Sequence, residues 1–278
     1  MGFRDRQGGP GMKACILLIE GTNCEDESVR AFKSVGIDAE KVHLKQLTGE
    51  CVSERMRNLD EYDALFIPGG WSAGDYIRAG AIFAARMKAK LGPALRKFTE
   101  DGRIIVGVCN GFQVLVESGL LPGFDGISER PEAVLTINAS NRFQCRPSFL
   151  KHVNKCSITS RIPEGRVLQV PVAHAEGRLS FGSRNDEFLG KLVDGGQIVF
   201  RYCRSDGVDA EGEFPWNPNG SLYDIAGICN PEGSILGMMP HPERVIEPVQ
   251  QADWTRKKYV EGEGRIFFES IRDYLKSK

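Results

Sequence analysis

Along the first half of the chain, short aliphatic and β-branched runs alternate with stretches whose apolar residues recur every three or four positions. A strand covered on both faces of a parallel sheet reads as continuously apolar, whereas a helix lying on the sheet shows a one-sided stripe. Residues 13–20, 37–44, 62–70 and 103–108 are therefore predicted as strands, the third ending in the Pro68-Gly-Gly70 turn. Residues 25–35 are predicted as a helix opened by acidic residues and closed by Gly36. Residues 79–100 are predicted as mostly helical, with an interruption at Gly92-Pro93. Another helix starts just after Cys109. Strand–helix alternation with short connections predicts an α/β fold: doubly wound, with a mostly parallel central sheet and helices on both faces.

After Pro122-Gly123 the texture changes. Residues 133–146, 166–172, 178–181, 197–203 and 224–229 read as shorter strands, with turn signals at Asn217-Pro-Asn-Gly220 and Asn230-Pro-Glu-Gly233. This half is expected to add antiparallel strands to the same sheet. Residues 234–239 form a short apolar strand running into Pro240-His-Pro-Glu243. Residues 264–276 close the chain as an amphipathic helix with Ile266, Phe267, Ile271, Tyr274 and Leu275 on its buried stripe. Without an internal repeat or a low-complexity linker, residues 12–278 are expected to form a single domain and residues 1–11 a loose polar extension.

Composition narrows the field by exclusion. The formal net charge is −1 with both signs interspersed, which offers no electrostatic surface for nucleic acid. No apolar stretch is long enough to cross a bilayer, so no membrane partner is expected. The first residues lack the apolar middle of a signal peptide, and the eight cysteines contain no C-x-x-C pair or zinc-site spacing. A reduced, cytoplasmic protein without a metal is the expectation. There is also no G-x-x-x-x-G-K-[ST] loop, so ATP chemistry has no evident home on this chain.

The chemistry centres on Gly107-Val-Cys-Asn-Gly111. It has the G-x-nucleophile-x-G pattern of a nucleophile elbow, with Cys109 where hydrolases carry Ser. A thiol placed there meets the positive end of a helix, which favours the thiolate, and the N–H of Asn110 is free to donate to an oxyanion. A plain buried cysteine would use the same residues without doing any chemistry. A second oxyanion donor is available from Gly70 or Trp71, in a segment that would otherwise be an ordinary turn. Gln113, one helical turn beyond Cys109, is placed to meet a polar substrate or simply to face solvent.

A thiol nucleophile needs a base, and the base needs a partner that orients it. With four histidines in the chain, two segments offer both: His174-Ala-Glu176 and His241-Pro-Glu243. The second follows an apolar strand directly, and its flanking prolines favour extended backbone that puts positions i and i+2 on one face. The first reads more as a loop lining a pocket.

Taken together, Gly21-Thr-Asn-Cys-Glu-Asp26, Ile67-Pro-Gly-Gly-Trp-Ser-Ala-Gly-Asp-Tyr-Ile-Arg-Ala-Gly80, Gly107-Val-Cys-Asn-Gly-Phe-Gln113, Asn141-Arg-Phe143, Pro171-Val-Ala-His-Ala-Glu-Gly-Arg178 and Met239-Pro-His-Pro-Glu-Arg244 resemble the class I (triad) glutamine amidotransferases. The resemblance runs from about Met12 to the C-terminus. It implies a Cys109 nucleophile, a His241 base oriented by Glu243, and oxyanion donors near Gly70 and Asn110. Trp71, Gln113 and the Asn141, Arg142 and Phe143 segment would help bind L-glutamine. It also implies a glutamyl thioester and ammonia delivered to a larger ATP-dependent synthetase subunit, helped by a small third subunit. Cofactors are expected to be none on this chain, with ATP and Mg on that partner. Trp71, Ala73 and Ala175 depart from the family pattern, which touches pocket shape more than the triad. Two other readings compete: a different Cys-elbow hydrolase of similar fold, peptidase-like or glyoxalase-like, and a non-catalytic scaffold subunit.

Overall fold

The computed structural model describes residues 11–278. The N-terminal extension predicted for residues 1–11 lies outside the described residues, apart from Gly11. Eleven strands and six helices follow in the order β1 (Lys13–Leu18), α1 (Glu25–Ser34), β2 (Asp38–His43), α2 (Leu44–Leu47), β3 (Ala64–Ile67), α3 (Ala81–Glu100), β4 (Ile104–Val108), α4 (Asn110–Glu117), β5 (Val134–Thr136), β6 (Gln144–His152), β7 (Val167–His174), β8 (Arg178–Ser180), α5 (Asn185–Asp194), β9 (Ile198–Cys203), β10 (Ile225–Cys229), β11 (Ile235–Met238) and α6 (Arg265–Lys276).

Nine strands form one sheet in the order β2-β1-β3-β4-β11-β10-β9-β6-β7, and β5 pairs with β8 in a separate ribbon. The five strands from β2 to β11 pair in parallel, and from β11 through β7 every pairing is antiparallel. The central β3, β4 and β11 are buried along their whole length, as their uninterrupted apolar runs require. In register, Phe66, Val106 and Leu236 face one side of the sheet, and Ile67, Gly107 and Gly237 face the other. Phe32 of α1 and Phe268 of α6 close on Phe66 edge-on and tilted, with ring centroids 5.3 and 6.2 Å away. Phe112 of α4 lies against Gly237 on the opposite side. Helices thus cover both faces.

Three sequence expectations need correction. First, α3 runs unbroken through Gly92 and Pro93. Pro93 sits on the solvent face, where the carbonyl it leaves unpaired can be hydrated. The buried stripe of Phe83, Met87, Leu91, Leu95 and Phe98 continues past it, so packing on the sheet outweighs the local break. Second, residues 133–146 are not one strand: β5 ends at Thr136, and β6 begins at Gln144 and runs through Pro147 to His152. The loop between them carries Asn138. Third, α5 was not anticipated, and the α6 stripe includes fully buried Phe268, while Ile266, Tyr274 and Leu275 are only partly covered.

Candidate active site

β4 delivers Cys109 to the rim of the sheet and α4 leaves from it. Cys109 itself takes φ 53° and ψ −108°, a strained turn that aims the thiol away from both elements. Its N–H is tied to the Met238 carbonyl of neighbouring β11 at 2.8 Å. Both elbow glycines are required by close approach: a Cβ at Gly107 would strike the Gly111 carbonyl, and one at Gly111 would strike the Ile67 carbonyl. Asn110 is the first residue of the helix, so its N–H has no intrahelical acceptor. Gly70 lies opposite Thr22, and the bonds flanking that pair run from Trp71 N–H to Gly21 and from Asn23 N–H to Gly69. The N–H of Gly70 takes no part in them.

β11 ends two residues before Pro240, next to β4, and so delivers His241 to the same rim. The His241 N–H donates to the Pro171 carbonyl of β7 at 2.8 Å. Its Nδ1 lies 2.6 Å from Oε1 of Glu243, and both side chains are buried. The pair forms by a route the sequence did not indicate. Pro242–Arg244 is a 3₁₀ turn rather than extended chain, and the turn curls the carboxylate back onto the ring. Nε2 has no hydrogen-bond partner among the described residues, and Cys109 lies close enough to the ring to act on its protonation. Burial opposes an imidazolium here. The Glu243 carboxylate and the Cys109 thiol outweigh it and hold the His241 pKa well above the ordinary range.

Gly69 supplies the space for this convergence. A Cβ there would fall 2.8 Å from His241 Cε1, 3.1 Å from Cys24 Sγ and 3.4 Å from Cys109 Cβ. Cys24, like Cys145, is a residue to which the sequence assigns no chemistry. Its buried Sγ accepts from Arg244 Nη2 at 3.1 Å and lies 4.0 Å from His241 Nδ1. Cys24, His241 and Glu243 are the one group among the described residues whose donor atoms converge closely enough for a metal, within 4.8 Å of one another. A cation there would face the Arg244 guanidinium and would have to separate the His241–Glu243 pair, so the cluster is better suited to handling protons.

The competing pair does not form. His174 ends β7 with Nδ1 3.1 Å from Oδ1 of Asn138, and Glu176 instead accepts from the Ala79 N–H at 3.2 Å. Burial, together with the positive charge of His241, pushes the His174 pKa down to about 3. Asn138 is a site residue that the sequence reading missed, since nothing in its neighbourhood marks a loop asparagine as a ligand of a distant histidine.

A cavity of about 160 Å³ opens beside the thiol, walled by Cys109, Gln113, Gly70, Trp71, Phe143 and His174 among others. The Trp71 and Phe143 rings stack at 6.2 Å. Gln113 lines the wall with both ends of its amide engaged, by Asn110 Nδ2 at 2.8 Å and by the Glu176 carbonyl at 2.5 Å. The Asn110 side chain braces the 72–75 turn through the Ser72 N–H and Asp75. Asn141 and Arg142 are exposed and lie outside the cavity wall. Asn141 takes φ 52° in a tight turn closed by its N–H on the Asn138 carbonyl, and the turn points both side chains outward.

A thiol on a strained elbow, an imidazole held by a carboxylate and two free amides are the groups that acyl transfer requires. In agreement, residues 11–275 match the CobB/CobQ-like glutamine amidotransferase domain. The chain belongs to this family of class I glutamine amidotransferases. It is 48% identical over 272 residues to the phosphoribosylformylglycinamidine synthase subunit PurQ of Archaeoglobus fulgidus, covering 95% of this chain and 97% of that one. The Thermus thermophilus protein of the same name is 40% identical, covering 86% of this chain and 92% of that one. Among solved structures, one chain of PurLQS from Thermotoga maritima superposes with a TM-score of 0.70 at 29% identity, over 96% of this chain and all of that one. Among the described residues, no helix is long and apolar enough to cross a membrane.

Proposed function

We propose that this chain is the glutaminase subunit of a phosphoribosylformylglycinamidine synthase. It hydrolyses L-glutamine and passes ammonia to a larger ATP-dependent synthetase subunit, which aminates formylglycinamide ribonucleotide in purine biosynthesis. The carrying observation is Cys109 on its elbow beside a buried imidazole that holds Glu243 at 2.6 Å, in a chain whose relatives bear that subunit's name. Cys109 Sγ attacks the carboxamide carbon with the thiol proton already held on His241 Nε2, in keeping with the raised pKa of that ring. The Gly70 and Asn110 amides receive the oxyanion. As the C–N bond breaks, His241 returns the proton to nitrogen and ammonia leaves a glutamyl thioester. Water, deprotonated by His241, then releases glutamate.

These steps use a thiol, an imidazole, a carboxylate and two amides, with no cofactor on this chain. ATP and Mg belong with the synthetase subunit, and a small third subunit completes the assembly. The stacked Trp71 and Phe143 form the entrance through which glutamine reaches the thiol. All eight cysteines are free thiols, which supports a reducing cytoplasmic setting.

The test is co-purification followed by a glutaminase assay, alone and with the synthetase. Glutamate release that rises on adding the synthetase, and covalent labelling of Cys109 by an electrophilic glutamine analogue, are expected. Full turnover by a Cys109→Ser variant would refute the assignment.

A further inference from the structure

Asn138 fixes the protonation state of a second histidine in the cavity wall. Its Nδ2 donates to two carbonyls, Arg142 at 2.9 Å and His174 at 2.8 Å, so the amide has one orientation. Its Oδ1 therefore accepts, from the Gly177 N–H at 3.0 Å and from His174 Nδ1 at 3.1 Å. Because a carbonyl oxygen cannot donate, His174 must carry its proton on Nδ1. Nε2 is left as a bare lone pair. It is buried, and among the described residues nothing donates to it. A second proton on this ring would add a buried cation beside the His241 imidazolium, so the ring stays neutral.

The end of β7 places His174 beside the reaction centre. The Pro171 carbonyl holds the His241 N–H at 2.8 Å, and the Ala173 carbonyl lies 3.5 Å from Cys109 Sγ. The next residue is His174, in the wall of the same cavity. Buried polar atoms without partners are rare in folded proteins, and one in a cavity wall awaits a ligand of complementary type. The complement here is a neutral N–H donor. The α-ammonium of an amino acid is better met by the carboxylates that also line the cavity, Asp75 and Glu176.

Resting on the glutaminase reading, we infer that His174 Nε2 accepts a hydrogen bond from the carboxamide nitrogen of glutamine and then from the departing ammonia. The C–N bond breaks as His241 Nε2 gives its proton to that nitrogen, which leaves as neutral ammonia. No proton moves to or from His174. An acceptor that stays neutral orients ammonia by one N–H without turning it into ammonium, so the nitrogen lone pair remains available to the next electrophile.

The test compares two substrates in the complete synthetase complex: L-glutamine and L-glutamate γ-methyl ester, whose leaving group carries no N–H. For His174→Phe, kcat/KM on glutamine is expected to fall about tenfold, as for loss of one hydrogen bond, with the ester within about twofold of wild type. Equal losses on both substrates, or no loss on glutamine, would overturn the inference. Should that variant not fold, ¹⁵N NMR of the Cys109→Ala complex gives a second readout. The His174 Nε2 signal is expected to shift on adding glutamine and not on adding glutamate. An unmoved signal overturns the inference. If the wild-type complex hydrolyses neither substrate, the glutaminase reading falls as well.

Discussion

His174 and His241 start from the same local sequence, an imidazole with a carboxylate two residues on, and their surroundings differ in every consequential way. At His241 a 3₁₀ turn brings Glu243 onto Nδ1, and the paired charges keep the ring protonated beyond the usual range. At His174 the carboxylate goes elsewhere, an amide carbonyl from another loop takes Nδ1, and burial keeps the ring neutral. Spacing therefore offered two bases, and the backbone path after each histidine decided between them. One ring is built to carry a proton and the other to refuse it.

Removing each ring in turn should separate them most widely. His241→Gln is expected to lower glutamine hydrolysis by the complex roughly 10⁶-fold, as for loss of the base in a triad, far beyond the effect of His174→Phe. Comparable losses in an amide assay would collapse the distinction. Glu243→Gln should cost on the order of 10⁴-fold while leaving the thiol in place. It should also bring the His241 pKa back toward the ordinary range, read by NMR titration of the ring.

Stability should slope in opposite directions around the two rings. A histidine whose folded pKa is raised contributes stability that is complete below its unfolded value, near 6.5, and lost as pH rises through the folded value. His174 has the reverse sign. Between pH 6.5 and about 3 its unfolded form binds a proton and its folded form does not, so acid destabilises the protein in that window. Urea melts are expected to show His174→Phe removing up to about 5 kcal/mol of that acid loss, and His241→Gln flattening the alkaline fall instead. The smallest contrast comes from two glycines. Gly69→Ala pushes a methyl to 2.8 Å from His241 Cε1 and should slow amide and ester hydrolysis alike by about tenfold. Gly177→Ala places one 2.6 Å from His174 Cε1 and should slow the amide alone, by a few-fold.

Much of this arrangement was legible in the residues. The elbow at Gly107–Gly111 has a strict steric logic, and apolar runs with no polar alternation could only be central strands. What escaped depended on partners remote in sequence. Pro93 read as a break because its solvent-facing position was set by the sheet beneath α3. The α5 helix carries a faint signal in Phe188, Leu189 and Leu192, diluted by Gly190 and a short length. Asn138 binds the carbonyls of residues 142 and 174 and an imidazole that arrives 36 residues later, so no local pattern announces it. Asn141 and Arg142 drew attention as part of a recognisable segment, and their turn faces them outward.

The pairing of β4 with β11 has a consequence for the order of events in a cell. The nucleophile strand finds its second parallel neighbour only after more than a hundred intervening residues have been made, and the imidazole follows that neighbour directly. A nascent chain still on the ribosome carries the cysteine early but lacks the proton acceptor until β11 and the turn after it have been made. Growing chains therefore cannot spill ammonia before the second half of the sheet has joined the first.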